Sequence, residues 1–365
     1  MTLRRARSPI RLDRKPIDLR LRHVWTIARA SSAVKRNVLT RIAHGGIEGL
    51  GEAAPNARYG EDAGSVLKGL ERLAPLLGDD PSRLEEIDGR LEAALPDGRA
   101  ARASIDIALH DWIGKKQGVP LYRLFGADPS RAPLTSMSIG IDDIPVMQEK
   151  VREAAGFKIL KIKVGLDNDR EILEGIRRVT DVPLYVDANE GWKDPRAAVE
   201  RIRWMQSLGV VLVEQPLPAA DLDGARFIRD RVDLPIIADE AALTVDDIPA
   251  LARAFDGINV KVQKSGGLRM ARRMIERARS LGMKVLLGCM VETSLGITAA
   301  AHLSPLADFA DLDGHRLIED DPFRGVLIRE GRLVLPERPG LGVLGAWWAG
   351  SRGQDDRSPK EIDCR

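Results

Sequence analysis

The stretch Ile159-Leu160-Lys161-Ile162-Lys163-Val164-Gly165 decides the fold, because two lysines alternate in it with apolar residues. Successive side chains of a strand point to opposite faces, so the two lysines share one face and the apolar residues share the other. Neighbouring ammonium groups on a buried strand are costly unless acidic groups face them. In a barrel of alternating strands and helices, the chemistry lies at the C-terminal ends of the strands. The stretch therefore predicts a barrel with an acidic site that faces both lysines.

Length, composition and charge narrow the class of protein. The chain has 365 residues, 44% of them hydrophobic, which predicts a large core and two domains. A formal net charge of +2 favours neither nucleic acid nor an anionic membrane as a partner. Two cysteines are too few for a disulfide framework and predict a reducing, cytoplasmic location. No apolar run reaches the roughly 18 residues that span a bilayer, and the arginine-rich segment 1–23 lacks the apolar core of a signal peptide.

The first third of the sequence predicts a small α+β domain, residues 1–126. Three antiparallel strands are predicted, at residues 17–21, 34–43 and 47–53. The polar segment 29–32 between the first two strands is expected to be a loop that acts as a lid. Helices follow, and the longest, with a wide apolar stripe, is expected to end at Gly118.

After Gly126 the pattern changes to short apolar runs that alternate with amphipathic helices, which indicates a parallel sheet. Eight runs are predicted to be strands, at residues 134–140, 159–164, 184–187, 210–214, 236–239, 258–261, 284–288 and 309–311. Their spacing of about 25 residues fits βα units, and eight such units close into a barrel. The barrel is predicted to span 127–321.

The C-terminal part is expected to complete the first domain. A hairpin is predicted within 322–348, with Trp347 and Trp348 packed on the first domain, and 350–365 is expected to be a polar tail.

Charged side chains at the ends of the predicted barrel strands form one constellation. Asp187, Glu214 and Asp239 end three consecutive strands and should converge. Converging carboxylates repel one another without a cation, and their oxygen atoms suit Mg²⁺. Lys163 and Lys261 belong to the second and sixth strands and should face each other across the barrel. The sequence therefore predicts a Mg²⁺ site between two lysines.

A cation between two lysines suits removal of a proton from the carbon beside a carboxylate. That proton is a weak acid, and lysine, with a reference pKa of about 10.4, is a poor match for it. A metal ion would stabilise the enediolate that forms. Lys161 is expected to lower the pKa of Lys163 by like-charge repulsion and so to support it electrostatically. One lysine would remove the proton and the other would return one to the opposite face, which inverts the centre.

A set of motifs resembles the muconate-lactonizing branch of the enolase superfamily. They are Lys161-Ile-Lys163, Val186-Asp187-Ala188-Asn189, Val213-Glu214-Gln215-Pro216, Ala238-Asp239-Glu240, Asn259-Val260-Lys261 and, in the first domain, Gly49-Leu50-Gly51-Glu52 and residues 106–111. The resemblance covers about residues 17–345. It implies an α/β fold, a modified TIM barrel of the (β/α)₇β type with an α+β capping domain.

The resemblance also implies roles for the constellation. Lys163 and Lys261 would be the acid/base pair, and the three carboxylates would bind one Mg²⁺ per subunit. Asn189 and Glu240 are expected to support these ligands from behind. The sequence leaves the oligomeric state open, with a homo-oligomer among the alternatives.

One further motif resembles dipeptide epimerases within that branch. In them, an Asp-x-Asp pair like Asp311-Leu312-Asp313 binds the α-ammonium group of the dipeptide, and a substrate cation needs such anionic partners. Ser138 and Met290 are expected to line the pocket. Members that act on Ala-Glu carry an arginine in the cap loop.

Ala30 occupies the position of that arginine in this chain, with Arg29 beside it. Arg29 is therefore expected to contact the substrate, and the side chains of the dipeptide stay open.

The predicted function is Mg²⁺-dependent epimerisation of a dipeptide at the α-carbon of its C-terminal residue, by 1,1-proton transfer. N-succinylamino acid racemisation, o-succinylbenzoate synthesis and cycloisomerisation are alternatives, since they keep the metal and the lysines but do not need Asp311 and Asp313. A Schiff-base aldolase that uses Lys163 or Lys261 and a barrel that only binds its ligand are two further alternatives.

Three more side chains lie near the predicted site in the sequence or in the cap. Lys264 is expected to be a loop residue beside two glycines, without a role as a base. Glu52 and Tyr59 are expected to contact the pocket from the cap.

Overall fold

A computed structural model describes residues 8–345 of the chain. Trp347, Trp348 and the tail 350–365 lie outside the described residues, so their predicted places rest on the sequence alone.

The N-terminal part contains an antiparallel sheet in the order β1-β2-β3. Its strands are β1 Arg11–Ile27, β2 Ala30–His44 and β3 Ile47–Ala53. The turn between β1 and β2 contains only Ala28 and Arg29, because Ser31 and Ser32 already pair with β1. The prediction of a loop over residues 29–32 is therefore wrong, whereas the role of this turn as a lid stays a prediction. Serine side chains break the apolar alternation, but their backbone groups still join the ladder.

Helices cover one face of this sheet. They are α1 Ala63–Leu73, α2 Leu84–Ala94, α3 Arg99–Gln117 and α4 Leu121–Leu124, with short 3₁₀ turns at Ala57–Tyr59, Ala74–Leu76 and Pro129–Arg131. Ile42 of the sheet and Ile105 and Trp112 of α3 belong to one buried cluster. The long helix ends where it was predicted to end, at Gly118, whose φ of 71° is left-handed and suits glycine.

Eight parallel strands follow one another around the second sheet in chain order. They are β4 Met137–Ile139, β5 Leu160–Lys163, β6 Leu184–Asp187, β7 Val210–Glu214, β8 Ile236–Ala238, β9 Gly257–Lys261, β10 Lys284–Gly288 and β11 Phe309–Asp311. A parallel bridge between Thr135 and Ala310 joins the first strand to the last. The eight predicted strands are confirmed, and they close a barrel.

The helices of the barrel pack their apolar faces on the outside of the sheet, as Ile172 and Ile176 do. They are α5 Ile144–Glu153, α6 Asp169–Arg177, α7 Pro195–Ser207, α8 Leu222–Arg229, α9 Ile248–Leu251, α10 Val262–Ser265, α11 Leu268–Ser280 and α12 Ser294–Ala301, with 3₁₀ turns at Val245–Asp247, Ser304–Leu306 and Gly314–Arg316. Within residues 8–345, no helix has both the length and the apolar character to cross a bilayer.

A C-terminal hairpin is made of β12 Leu327–Arg329 and β13 Arg332–Val334. It lies beside the entry to β4, where the Thr135 N–H donates to the Gly331 carbonyl at 2.8 Å. The segment after it reaches the first domain, since the Leu341 N–H donates to Asp111 of α3 at 2.8 Å.

An apolar layer fills the inside of the barrel below the strand ends. It consists of Tyr185, Leu212, Ile237 and Leu286, all buried. Because side chains alternate along a strand, the next inward positions after the first three of these are two residues further on. The barrel therefore places polar side chains directly above this layer, which we call the apolar floor.

Candidate active site

The three carboxylates predicted to converge do so at the C-terminal ends of β6, β7 and β8. One oxygen each of Asp187, Glu214 and Asp239 lies within 4.8 Å of the others, and all three residues are buried. They occupy the inward positions directly above the apolar floor. Three oxygen donors at this separation fit a hard divalent cation such as Mg²⁺. Their role as ligands stays a prediction.

Lys163 and Lys261 approach this acidic trio from strands four places apart, β5 and β9. The Lys163 Nζ lies 2.6 Å from an oxygen of Asp187, and the Lys261 Nζ lies 2.7 Å from an oxygen of Asp239. Burial alone would lower the pKa of Lys261, but Asp239 and Glu214 raise it above its ordinary value. Each lysine is thus held at the edge of the trio by an ion pair.

Lys161 is the centre of an ion-pair network beneath the two outer lysines. Its Nζ lies 3.2 Å from Asp187, 2.8 Å from Glu214 and 2.7 Å from Asp311. Burial opposes the charge, but these carboxylates raise the pKa of Lys161 well above its ordinary value. The ammonium group therefore balances acidic side chains from both sides of the barrel. Its predicted electrostatic support of Lys163 stays a prediction.

The interpretation of Lys264 as a loop residue is wrong. The residue lies in α10, which follows β9 directly, and its side chain is buried with Nζ 2.6 Å from Asp239. Burial lowers its pKa, and Asp239 opposes that shift. The short helix turns the chain back over the strand end, which the sequence pattern around the two glycines did not indicate.

The charges of the trio are unevenly balanced. Burial would raise the pKa of Asp187, but Lys163 and Lys161 lower it. Burial and the nearby Asp187 raise the pKa of Glu214 to about 8, although Lys161 opposes them. Asn259, which the motif contained without a stated role, donates to Glu214 at 2.8 Å. A cation shared by the three carboxylates would supply positive charge and so favour the ionised form of Glu214.

Asn189 and Glu240 lie beside the trio and line the same cavity, and their supporting role stays a prediction. The Asn189 backbone N–H donates to Asp187 at 2.9 Å, and its side-chain amide donates to Glu240 at 3.1 Å. Arg29 reaches the same group from the β1–β2 turn, with Nη1 2.7 Å from Glu240 and 2.8 Å from Glu190. Arg29 thus fastens the turn to the barrel. Glu190 was not singled out from the sequence, because no pattern marks its distant arginine partners.

Asp311 and Asp313 lie on the side of the barrel opposite the trio, both buried. Asp311 accepts hydrogen bonds from the Ser136 hydroxyl at 2.7 Å and the Ser138 hydroxyl at 3.2 Å, and it pairs with Lys161. Asp313 accepts from the Ser138 backbone N–H at 2.6 Å. Burial and the charge of Asp311 raise the pKa of Asp313 to about 7. A second cation near Asp313 would favour the ionised form of this carboxyl group.

A cavity of 430 Å³ lies between the strand ends and the cap. The cavity is lined by both outer lysines and by Asp311, Asp313, Ser138, Met290, Arg29 and Tyr59. Met290 accepts a weak hydrogen bond from Asn56 of the cap at 3.6 Å. Glu52 does not line the cavity; it is buried and accepts hydrogen bonds at the start of α12, from Thr293 and from the Gly296 N–H at 3.1 Å.

Comparisons with known proteins cover both parts of the chain. Residues 16–126 match the N-terminal domain of mandelate racemase and muconate lactonizing enzyme, and residues 146–344 match the enolase C-terminal domain-like family. The L-Ala-D/L-Glu epimerase of Bacteroides thetaiotaomicron is 43% identical over 330 residues, which are 90% of this chain and 86% of that protein.

Two solved structures are similar throughout. The substrate-liganded L-Ala-D/L-Glu epimerase of Bacillus subtilis has a TM-score of 0.88 at 32% identity and covers 92% of this chain and 99% of its own. The dipeptide epimerase of Methylococcus capsulatus, complexed with Mg and L-Arg-D-Lys, has a TM-score of 0.86 at 33% identity and covers 92% of this chain and 100% of its own.

Proposed function

We propose, since this chain belongs to the mandelate racemase and muconate lactonizing enzyme family of the enolase superfamily, that it is an isomerase that epimerises dipeptides with Mg²⁺. The observation that carries the proposal is the position of Lys163 and Lys261 on opposite sides of the acidic trio. The names of two relatives, an L-Ala-D/L-Glu epimerase at 43% identity and a dipeptide epimerase at 33% identity, support the choice of substrate.

The acidic trio is the proposed Mg²⁺ site, with Asp187, Glu214 and Asp239 as ligands. Mg²⁺, when bound, supplies a Lewis acid for the negative charge that develops on a substrate carboxylate. The chain itself contributes a buried site, because all three carboxylates lie above an apolar floor. Lys264 and Asn259 hold Asp239 and Glu214 from behind and so fix the directions of their oxygens.

The two outer lysines are the proposed acid/base pair. Inversion at a carbon needs one group that removes a proton and a second that delivers one to the opposite face. An α-carbon whose carboxylate points at the trio would lie between the Nζ atoms of Lys163 and Lys261. One Nζ would accept the proton of one epimer and the other Nζ would donate its proton, with the roles exchanged for the other epimer.

Asp311 and Asp313 are the proposed site for the α-ammonium group of the dipeptide. Both carboxylates are buried, and Lys161 balances only one of them directly. Racemisation of an N-succinylated amino acid, or a cycloisomerisation, brings no ammonium group to this side of the barrel. The unbalanced Asp313 therefore favours the dipeptide over these alternatives.

We also propose the domain limits and location expected from the sequence. The cap would span 1–126 and the barrel 127–321, and part of 322–348 would complete the cap, which the hydrogen bond between Leu341 and Asp111 supports. A cytoplasmic location agrees with the free thiol of Cys289.

A library of L,L-dipeptides, incubated with the enzyme and Mg²⁺ in deuterated water and followed by mass spectrometry, tests the proposal. We expect at least one dipeptide to gain a single deuterium at the α-carbon of its C-terminal residue and to yield the L,D epimer. EDTA should stop the exchange. Absence of exchange across the library, with exchange of an N-succinylamino acid instead, would refute the proposal in favour of racemisation.

A further inference from the structure

Lys35 is a cation of the active-site cavity that has no acidic partner among residues 8–345. It lies in β2 and lines the cavity together with the outer lysines. No ion pair or side-chain hydrogen bond joins it to the described residues, and burial is the only cause that lowers its pKa. A partly buried, unpaired ammonium group is costly unless a ligand compensates for it.

The other cationic side chains of the cavity already have protein partners. Arg29 and Arg58 both bind Glu190, with nitrogen–oxygen distances of 2.8 Å and 2.9 Å. The three lysines at the strand ends pair with the acidic trio or with Asp311. Among the cations of the described chain that line this cavity, Lys35 is therefore the one left to bind an anionic group of the substrate.

The register of the cap sheet directs Lys35 toward the mouth of the barrel. Lys35 is paired with Leu19 in the antiparallel ladder, so both side chains point to the same face. Leu19 is buried against Val291, which follows β10. Asn37, two residues along β2 on that face, donates to the Val291 carbonyl at 3.0 Å.

The proposed binding mode leaves one direction for the side chain of the residue that is epimerised. Its carboxylate points at the acidic trio, its nitrogen leads toward Asp311 and Asp313, and the outer lysines flank the α-carbon. The remaining substituent must leave the barrel toward the cap, where β2 covers the mouth. A long side chain in this position would end near Lys35.

We propose that Lys35 binds the side-chain carboxylate of an acidic C-terminal residue, so that the preferred substrates are dipeptides ending in glutamate or aspartate. The assignment rests on the proposed dipeptide epimerisation and makes Lys35 a specificity residue of that site. It takes no part in proton transfer.

The test compares the acid L-Ala-L-Glu with its amide L-Ala-L-Gln by deuterium exchange, for the wild type and three variants. A charge-assisted hydrogen bond corresponds to about a 10- to 100-fold change in the acid-to-amide ratio of kcat/KM. Lys35→Met should lower that ratio by this factor, chiefly through KM, and Lys35→Arg should restore most of it. Lys35→Glu should raise kcat/KM for L-Ala-L-Lys relative to L-Ala-L-Glu.

Arg36→Met is the matched control, because Arg36 is the next residue of β2, points to the other face and pairs with Asp18 at 2.6 Å. It removes the same charge outside the cavity, so the acid-to-amide ratio should stay as in the wild type. An equal fall of the ratio in both variants would assign the effect to general electrostatics and overturn the proposal.

The outcomes separate this inference from the function on which it rests. A wild type that exchanges no dipeptide refutes both. A wild type that exchanges dipeptides, but whose acid-to-amide ratio does not change in Lys35→Met, refutes the role of Lys35 alone. A charge effect seen with L-Glu-L-Ala and absent with L-Ala-L-Glu would also overturn it, since Lys35 would then face the N-terminal residue.

Discussion

Replacement of Asp313 by asparagine isolates the proposed ammonium site. Asp311 is a poor choice for this purpose because it also holds Lys161, at 2.7 Å. In the wild type, the Ser138 N–H donates to an Asp313 oxygen at 2.6 Å. Asparagine keeps an oxygen that can accept this hydrogen bond, so we expect the local backbone to stay in place. The substitution therefore removes one negative charge and little else.

The expected magnitude follows from the bond that is lost. A hydrogen bond between an ammonium group and a buried carboxylate contributes about 1.5–3 kcal/mol. At about 1.4 kcal/mol per factor of ten, kcat/KM for a dipeptide falls roughly 10- to 150-fold in Asp313→Asn. The same loss should be absent for the N-acetylated dipeptide, which has no ammonium group.

The pH profile gives an independent result. Burial and Asp311 raise the pKa of Asp313 to about 7, so this carboxyl is neutral below pH 7 and charged above it. An ammonium group binds the charged form better, so kcat/KM of the wild type should fall as the pH drops below 7, and this limb should disappear in Asp313→Asn. Steady-state assays with the dipeptide and its N-acetyl derivative between pH 5.5 and 8.5 measure both effects.

Two results would refute this reasoning about Asp313. Equal losses for the dipeptide and the N-acetyl derivative would mean that the carboxylate does not bind the ammonium group. A wild type that prefers the N-acylated compound would favour racemisation of an N-succinylamino acid on the same barrel.

Three further predictions concern the metal, the cap and the interface between the domains. Asp187→Asn should weaken Mg²⁺ binding at least about tenfold in calorimetry, because the trio loses one charged ligand; unchanged affinity would contradict the assigned site. Arg29→Met should lower the free energy of unfolding by about 2 kcal/mol in a urea titration, because it leaves the buried Glu240 without its cation, while Arg36→Met, which removes an exposed pair, should have no measurable effect. Burial and Glu52 raise the pKa of Glu292 to about 8, so the folded state holds this proton more tightly than the unfolded state and loses that advantage as the pH rises toward 8. Glu292→Gln should therefore match the wild type at pH 4.5 and be more stable at pH 8.5; a constant difference would contradict the shifted pKa.

The barrel was predictable because the pattern that indicates each strand lies within a few consecutive residues. Each strand is a short run whose inward residues alternate with outward ones, and closure then follows from the number of runs. The same alternation and strand order predicted that the acidic trio would meet Lys163 and Lys261. The trio ends consecutive strands, and the two lysines end opposite ones. Their convergence in the structure needs nothing beyond alternation and strand order.

The contacts between distant segments were not predictable. Lys264 enters the site because a four-residue helix turns the chain back after β9, and no periodicity marks so short an element. Arg29 binds residues some 160 positions later in the chain, so its partners could not be read from its neighbours. The predicted loop at residues 29–32 was wrong for a related reason, because backbone pairing with β1 outweighs the polarity of the serines.

The central claim is that two lysines serve opposite faces of one α-carbon, and stereospecific exchange in deuterated water measures it most directly. The wild type should exchange the α-proton of both the L,L and the L,D dipeptide. Lys163→Ala and Lys261→Ala should each lose epimerisation, and each should keep exchange with only one epimer, a different one for each variant. Loss of exchange with the same epimer in both variants, or epimerisation that survives either change, would contradict the claim.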